Sequence, residues 1–225
     1  LDLDFVELIF VDQISRDKND ICYDARLDNV LYKLPAQYKK AVCLRNLQDL
    51  GTDTIDTGVT TDDGYDIEMI ACVRVDKFIA YAKIIGNEYI SDQDHYFALA
   101  SGASYGTVNC FVNTNYTSIP NANYQNGSGL ILSQTGNDRI AKDVRFPFQS
   151  FLSQSTTGAQ NTSSIKIFGR SNHVSIFYCR LKKSGIVVKD YIPCVRLSDN
   201  VPGFFEKVSQ EFVTVQDPSK LEAII

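Results

Sequence analysis

The sequence has very little histidine and no clustered cysteine. His95 and His173 are the only histidines in 225 residues. Neither belongs to a GxSxG elbow or a Ser/His/Asp order, so no nucleophile–base constellation is offered, and both read as ordinary surface residues near strand ends. The six cysteines are Cys22, Cys43, Cys72, Cys110, Cys179 and Cys194. They form no CxxC and no Cys/His cluster, which excludes the usual zinc arrangements. Positive charge is sparse: 27 acidic residues outweigh 22 basic ones, for a net charge of −5. The only basic pairs are Lys39-Lys40 and Lys182-Lys183, so the basic stripe of a nucleic-acid binder is missing. No apolar run approaches a spanning helix, and no basic amphipathic helix points to a membrane surface. Ser101 to Gly106 contains glycine but lacks the lysine and following helix of a phosphate loop, and reads as a hairpin turn. No cofactor is expected.

What is present is a chain of globular composition, 44% hydrophobic and 22% charged, long enough for one large β-sandwich or a sandwich with a small appendage. Cys72, Cys110 and Cys179 sit inside apolar segments, where buried, reduced thiols acting as small hydrophobes are expected. Reduced thiols fit assembly in a cytoplasm. The sequence opens on Leu1 rather than Met, so the chain is expected to be either processed or missing its true start, and no secretory signal pattern opens it.

Strand signals are dense. Ile67, Met69, Ala71, Val73 and Val75 keep a period of two around Glu68 and Arg74. Further strands are predicted at 78–85 (closed by Gly86-Asn87), 95–100, 107–112, 129–133 and 165–168. A hairpin is predicted from 174–181 and 186–192 across Lys182-Lys183-Ser184-Gly185. Segments 113–128 and 153–164, rich in Asn, Ser and Thr, read as long exposed loops. Residues 1–40 read as a small N-terminal β appendage or oligomerisation arm, or else as the first strands of the same sandwich, with 41–225 as the main domain. Val201, Phe204, Phe205, Val208 and Phe212 fall at helical spacing behind Pro202, which by pattern alone indicates a short helix.

Two stretches carry a family resemblance. Leu47 to Gly58, with Gly51-Thr52-Asp53-Thr54-Ile55-Asp56-Thr57-Gly58 at its end, resembles the "GTQYIDTG" opening of laminin-G-like, concanavalin A-like lectin-type domains in tailed-phage virion and appendage proteins and in gut-bacterial proteins. Gly185 to Val208, followed by Gln210-Glu211-Phe212-Val213-Thr214, resembles the closing segment of the same domains, and Lys166 to Arg170 resembles their "IFGR" strand. Over roughly residues 41–215 the resemblance implies an all-β, concanavalin/laminin-G-like jelly-roll sandwich, and a tight hairpin rather than a helix at 201–212. In that frame Gly58 is expected at a turn ending the first strand, Pro193 at a strand end on an edge, Cys194 and Phe204 in the core, and Arg196 paired with Asp199.

Candidate sites are few. Asp66 and Glu68 share a strand face, as the two carboxylates of a glycosidase would need to face one another; unaccompanied by other acid motifs, they read as a solvated strand face. Asp62-Asp63 and Asp92 with Asp94 are short acidic turns without EF-hand spacing, and no metal site is assigned. The loop residues Tyr116, Asn121, Asn123, Tyr124 and Asn126 combine aromatic platforms with amide hydrogen-bonding groups, which suits a sugar or a protein contact. The same composition also suits a flexible polar loop, or one that orders only in an assembly. The resemblance implies a non-catalytic virion structural protein, a head decoration, fibre or tail appendage, localised to the virion after assembly in the host cytoplasm. Its expected partners are other virion proteins, copies of itself as a dimer or trimer, and a host-surface glycan, with no nucleic acid and no membrane insertion. The alternative is a secreted carbohydrate-binding adhesion module of a gut bacterium.

Overall fold

The structure, a computed structural model, describes residues 31–61, 66–76, 83–87, 96–101, 108–113, 115–119, 128–135, 138–143, 152–155, 161–169 and 174–225. These residues form seventeen strands in two antiparallel sheets. The larger sheet runs β11 (Leu152–Ser155), β10 (Asp138–Asp143), β9 (Ser128–Thr135), β4 (Ile67–Val75), β13 (Val174–Lys183), β14 (Ile186–Arg196), β15 (Val201–Glu206), β16 (Glu211–Val213). Strands β13 and β14 separate past their hairpin. There β2 (Cys43–Asn46) pairs with β13, β1 (Tyr38–Lys40) pairs with β14, and β17 (Leu221–Ile224) adds to β2. The smaller sheet runs β3 (Ile55–Thr61), β12 (Asn161–Ile167), β5 (Lys83–Asn87), β6 (Tyr96–Ser101), β7 (Val108–Asn113), β8 (Asn115–Ile119).

The two sheets close on one core, which makes the fold an all-β sandwich. Met69, Ala71 and Val73 of β4, Leu130 and Leu132 of β9, and Ile176, Cys179 and Leu181 of β13 meet Ile55, Ile84, Ile85, Phe97, Leu99, Ile165 and Ile167 of the smaller sheet. Within that sheet the fully buried Asn87 acts as a brace. Its side chain donates to the Ser163 carbonyl at 2.6 Å and accepts from the Phe97 amide at 3.1 Å and the Thr61 hydroxyl at 3.3 Å.

The strands predicted at 67–75, 95–100, 107–112, 129–133, 165–168, 174–181 and 186–192 are present with the same, shifted or longer bounds, while residues 78–82 of the strand predicted at 78–85 lie outside the described residues, and several local expectations need correction. Gly86 and Asn87 are the last two residues of β5 rather than a turn beyond it, and Ala98 presses so closely on Gly86 that any Cβ would overlap it. Gly58 does not end a strand at a turn. It sits within β3 at φ +68°, its amide held by the Asp56 carboxylate at 2.8 Å, while the strand continues to Thr61. Pro193 is not at an edge. It lies inside β14 opposite Phe204, at the point where β1 joins the sheet, and its carbonyl accepts from the Ala41 amide at 2.9 Å. The two long loops are also shorter than expected, since β8 falls within 113–128 and β11 and the start of β12 fall within 153–164.

The segment with helical spacing is a hairpin, β15–β16, as the resemblance implies. Phe204 enters the inter-sheet core, and Phe205 packs on the opposite face against Tyr38. A strand buried on both faces loses its period-two signature, which is why adjacent aromatics imitated a helical stripe. The Ser184-Gly185 turn has positive φ at both residues, 50° and 76°, between the paired Lys183 and Ile186, the geometry that matches the twist of a two-residue hairpin. Asn200 at φ +58° and Gln210 at φ +60° end the four-residue loops on either side of β15.

Candidate functional site

Of the five predicted binding residues, Tyr116 lies in β8 opposite Phe111, and Asn121, Asn123, Tyr124 and Asn126 lie outside the described residues. So do His95, His173, Asp62, Asp63, Asp92 and Asp94. Glu68 is engaged in the large sheet: it sits directly across from Lys182 and accepts from its ammonium at 2.8 Å. Among the described residues no group of three or more His, Cys, Asp or Glu is placed to hold a metal ion.

The described residues that gather polar and aromatic chemistry lie around β14–β16. Asp190 and Glu206 are buried acids on neighbouring strands. Glu206 accepts from the amides of Asp190 at 2.9 Å, Val208 at 2.9 Å and Ser209 at 2.8 Å, and its carboxylate lies 3.5 Å from the Lys189 ammonium. Burial alone would push the Glu206 carboxyl up, but the Ser209, Val208 and Asp190 hydrogen bonds outweigh it and hold it below the usual range. Asp190 pairs through one oxygen with Arg180 at 2.7 Å and Lys207 at 3.0 Å, and the Lys207 amide donates to the Asp190 carbonyl at 2.8 Å. The arrangement knots β13, β14 and the β15–β16 loop together. Glu206 is bound through both oxygens, whereas Asp190 is bound through one and its other oxygen is buried without a hydrogen-bond partner.

Beside this knot runs an aromatic ladder. Tyr38 stacks on Phe212 with centroids 5.6 Å apart and planes 9° apart, and it meets Phe205 at 5.4 Å. The Arg196 guanidinium lies 4.7 Å from the Phe212 centroid. Tyr32 packs on Phe205 at 6.1 Å, beneath the Lys207 ammonium at 5.0 Å, and its hydroxyl accepts from Gln210 at 3.1 Å. The expected Arg196–Asp199 pair is present, with contacts of 3.0 and 2.8 Å, and the guanidinium holds the exposed Asp199 carboxyl below its ordinary range. Cys194 and Phe204 are buried as expected.

The opening motif reaches the end of the chain. Asp53 accepts from the amides of Gln216 at 2.5 Å and Asp217 at 3.0 Å, so this residue fastens the C-terminal segment to the start of the domain. Sequence reasoning missed Asp53, Asp190 and Glu206. For the last two the available signal was an acid embedded in an apolar strand, in Val187-Val188-Lys189-Asp190-Tyr191 and Phe204-Phe205-Glu206.

The cysteine expectation needs one correction. Cys43, Cys179 and Cys194 are free and buried. Burial pushes the Cys43 thiol up to about 11, against an opposing Ser175 hydrogen bond, and the Cys194 thiol up to about 12. Cys72, however, is disulfide-bonded. Wide spacing in sequence does not forbid pairing, because a sandwich brings remote segments side by side.

No family model matches the chain, and no curated protein is significantly similar to it. A crystal structure of a functionally unknown protein from Saccharomyces cerevisiae is similar at a TM-score of 0.41 and 10% identity, over 68% of this chain and 94% of that one, a likeness too remote to bear on function.

Proposed function

We propose that the chain is a non-catalytic structural and binding module of the concanavalin/laminin-G-like jelly-roll type, used in a phage virion as a head decoration, fibre or tail appendage. A host-surface glycan binds at Tyr116, Asn121, Asn123, Tyr124 and Asn126. The observation that supports this reading is the use made of the segment that resembles the family's closing strands. Within it Lys189, Asp190, Arg196, Glu206, Lys207 and Phe212 are engaged in contacts among β14, β15, β16 and β1, the conduct of a fold-defining motif rather than a reaction centre. A glycan array probed with the full chain and with the Tyr116→Ala/Tyr124→Ala variant tests it, alongside an assay for released reducing ends. Binding lost in the variant, with no new reducing ends, is expected. Release of reducing ends overturns the non-catalytic reading, and unchanged binding by the variant overturns the assignment of the loop.

One observation favours the second reading, a secreted carbohydrate-binding adhesion module. A disulfide at Cys72 suits an oxidising compartment better than a reducing cytoplasm.

A further inference from the structure

The smaller sheet ends on two unlike edges. At one end β3 carries the features that keep an edge strand from pairing with another chain. It holds the charged Asp56, Gly58 bends it at φ +68°, and its register with β12 shifts between Asn161 and Ser164 and again between Ser164 and Lys166. At the other end β8 carries none of these. Its residues Asn115-Tyr116-Thr117-Ser118-Ile119 hold no charge and no proline, and their register with β7 runs without a shift. Among the described residues no strand pairs with the far side of β8.

The register decides which main-chain groups face outward. Only Asn113 and Thr114 separate the paired Val112 and Asn115, so these two meet as a hydrogen-bonded pair. Alternation makes Cys110–Thr117 and Val108–Ile119 hydrogen-bonded pairs as well. Tyr116 and Ser118, opposite Phe111 and Asn109, occupy the alternate positions, so their N–H and C=O groups point away from β7. An edge of this kind takes another strand through main-chain hydrogen bonds.

That edge is complementary to its own two-fold image. With the axis at Thr117, Tyr116 of each chain pairs with Ser118 of the other, and every outward N–H and C=O on both edges is used. An axis at Ser118 would set Tyr116 against Pro120, which has no N–H. An axis at Tyr116 would set Ser118 against residue 114, beyond the strand. With the axis at Thr117 a threonine lies opposite its own copy, a favourable cross-strand pair, and no like charges meet.

We propose that β8 is the self-association edge of the protein and joins two chains antiparallel about a two-fold axis at Thr117. An isologous contact of this kind closes at two chains. The proposal rests on the structural reading above and names the contact through which copies assemble; it does not depend on glycan binding.

Hydrogen exchange followed by NMR on the full chain, below and above the association range found by sedimentation equilibrium, reads the edge directly. The Tyr116 and Ser118 amides are expected to slow by at least about tenfold in the associated state. The Thr117 and Ile119 amides, already bonded to β7, change little. Ser118→Pro removes an outward N–H at an edge position, where proline is tolerated. It is expected to sediment as one chain where the parent sediments as two, with an unchanged circular dichroism spectrum. A parent dimer that Ser118→Pro leaves intact overturns the edge pairing and leaves the building-block reading standing. So does an assembly in which the Tyr116 and Ser118 amides exchange as fast as in the dilute chain. A parent that is a single chain at every concentration overturns both.

Discussion

Replacing Glu206 by Gln removes the charge from a buried carboxylate while keeping its shape. Glu206 is 1% exposed and takes three backbone amides at 2.8–2.9 Å besides Lys189 at 3.5 Å. An amide side chain offers one oxygen. It can serve the Asp190 and Val208 amides or the Ser209 amide, and its NH2 then faces a donor on the other side. Hydrogen bonds to a charged acceptor contribute about 1.5–3 kcal/mol each, against about 1 for neutral ones. Losing one and weakening the other two to neutral strength costs about 3–5 kcal/mol. At about 2–4 °C per kcal/mol for a chain of this size, the thermal midpoint falls by at least about 6 °C. Circular dichroism melts at neutral pH measure it. Lys189→Met is the control. Its side chain is 27% exposed and its ammonium is 3.5 Å away, and Glu206 keeps its three amides, so its loss costs under about 1 kcal/mol. Because the Glu206 carboxyl is held below its ordinary range, its contribution is complete above the unfolded-state value, about 4.3, and is lost as pH falls through the folded value. Parent and variant therefore converge in acid. A Glu206→Gln midpoint within about 2 °C of the parent at neutral pH, less than 1 kcal/mol, refutes the knot.

Gly203→Ala places a Cβ 2.5 Å from both Phe212 Cζ and the Val213 carbonyl. Urea titration is expected to show a loss of about 1–3 kcal/mol, coupled to Phe212→Ala by more than about 0.5 kcal/mol in a double-mutant cycle. In the β13–β14 turn, Gly185→Ala at φ +76° costs about 1–2 kcal/mol, whereas Ser184→Asn leaves the urea midpoint equal or higher, since Asn-Gly is preferred there.

Legibility followed burial. The strand Ile67–Val75 was readable because its core-facing residues keep period two, and the β13–β14 hairpin because Ser184-Gly185 marks the turn. Phe204 and Phe205 imitate a helical stripe because β15 is buried on both faces there, so adjacent aromatics are each buried on opposite sides. Gly58 and Pro193 were misplaced for a related reason. Local rules take glycine and proline as ends, whereas here Gly58 bends a continuing strand and Pro193 sits where β14 takes β1 as a neighbour. Asp190 and Glu206 look like ordinary surface acids until β14 and β15 are paired in register. The Asn/Tyr loop was chosen on composition, and four of its five residues lie outside the described residues.

Light scattering on the full chain at neutral pH addresses the structural role most directly. A virion building block assembles symmetrically, so the account predicts a defined mass of two or three chains. A monomer at all concentrations contradicts it and leaves the secreted adhesion module as the function to pursue.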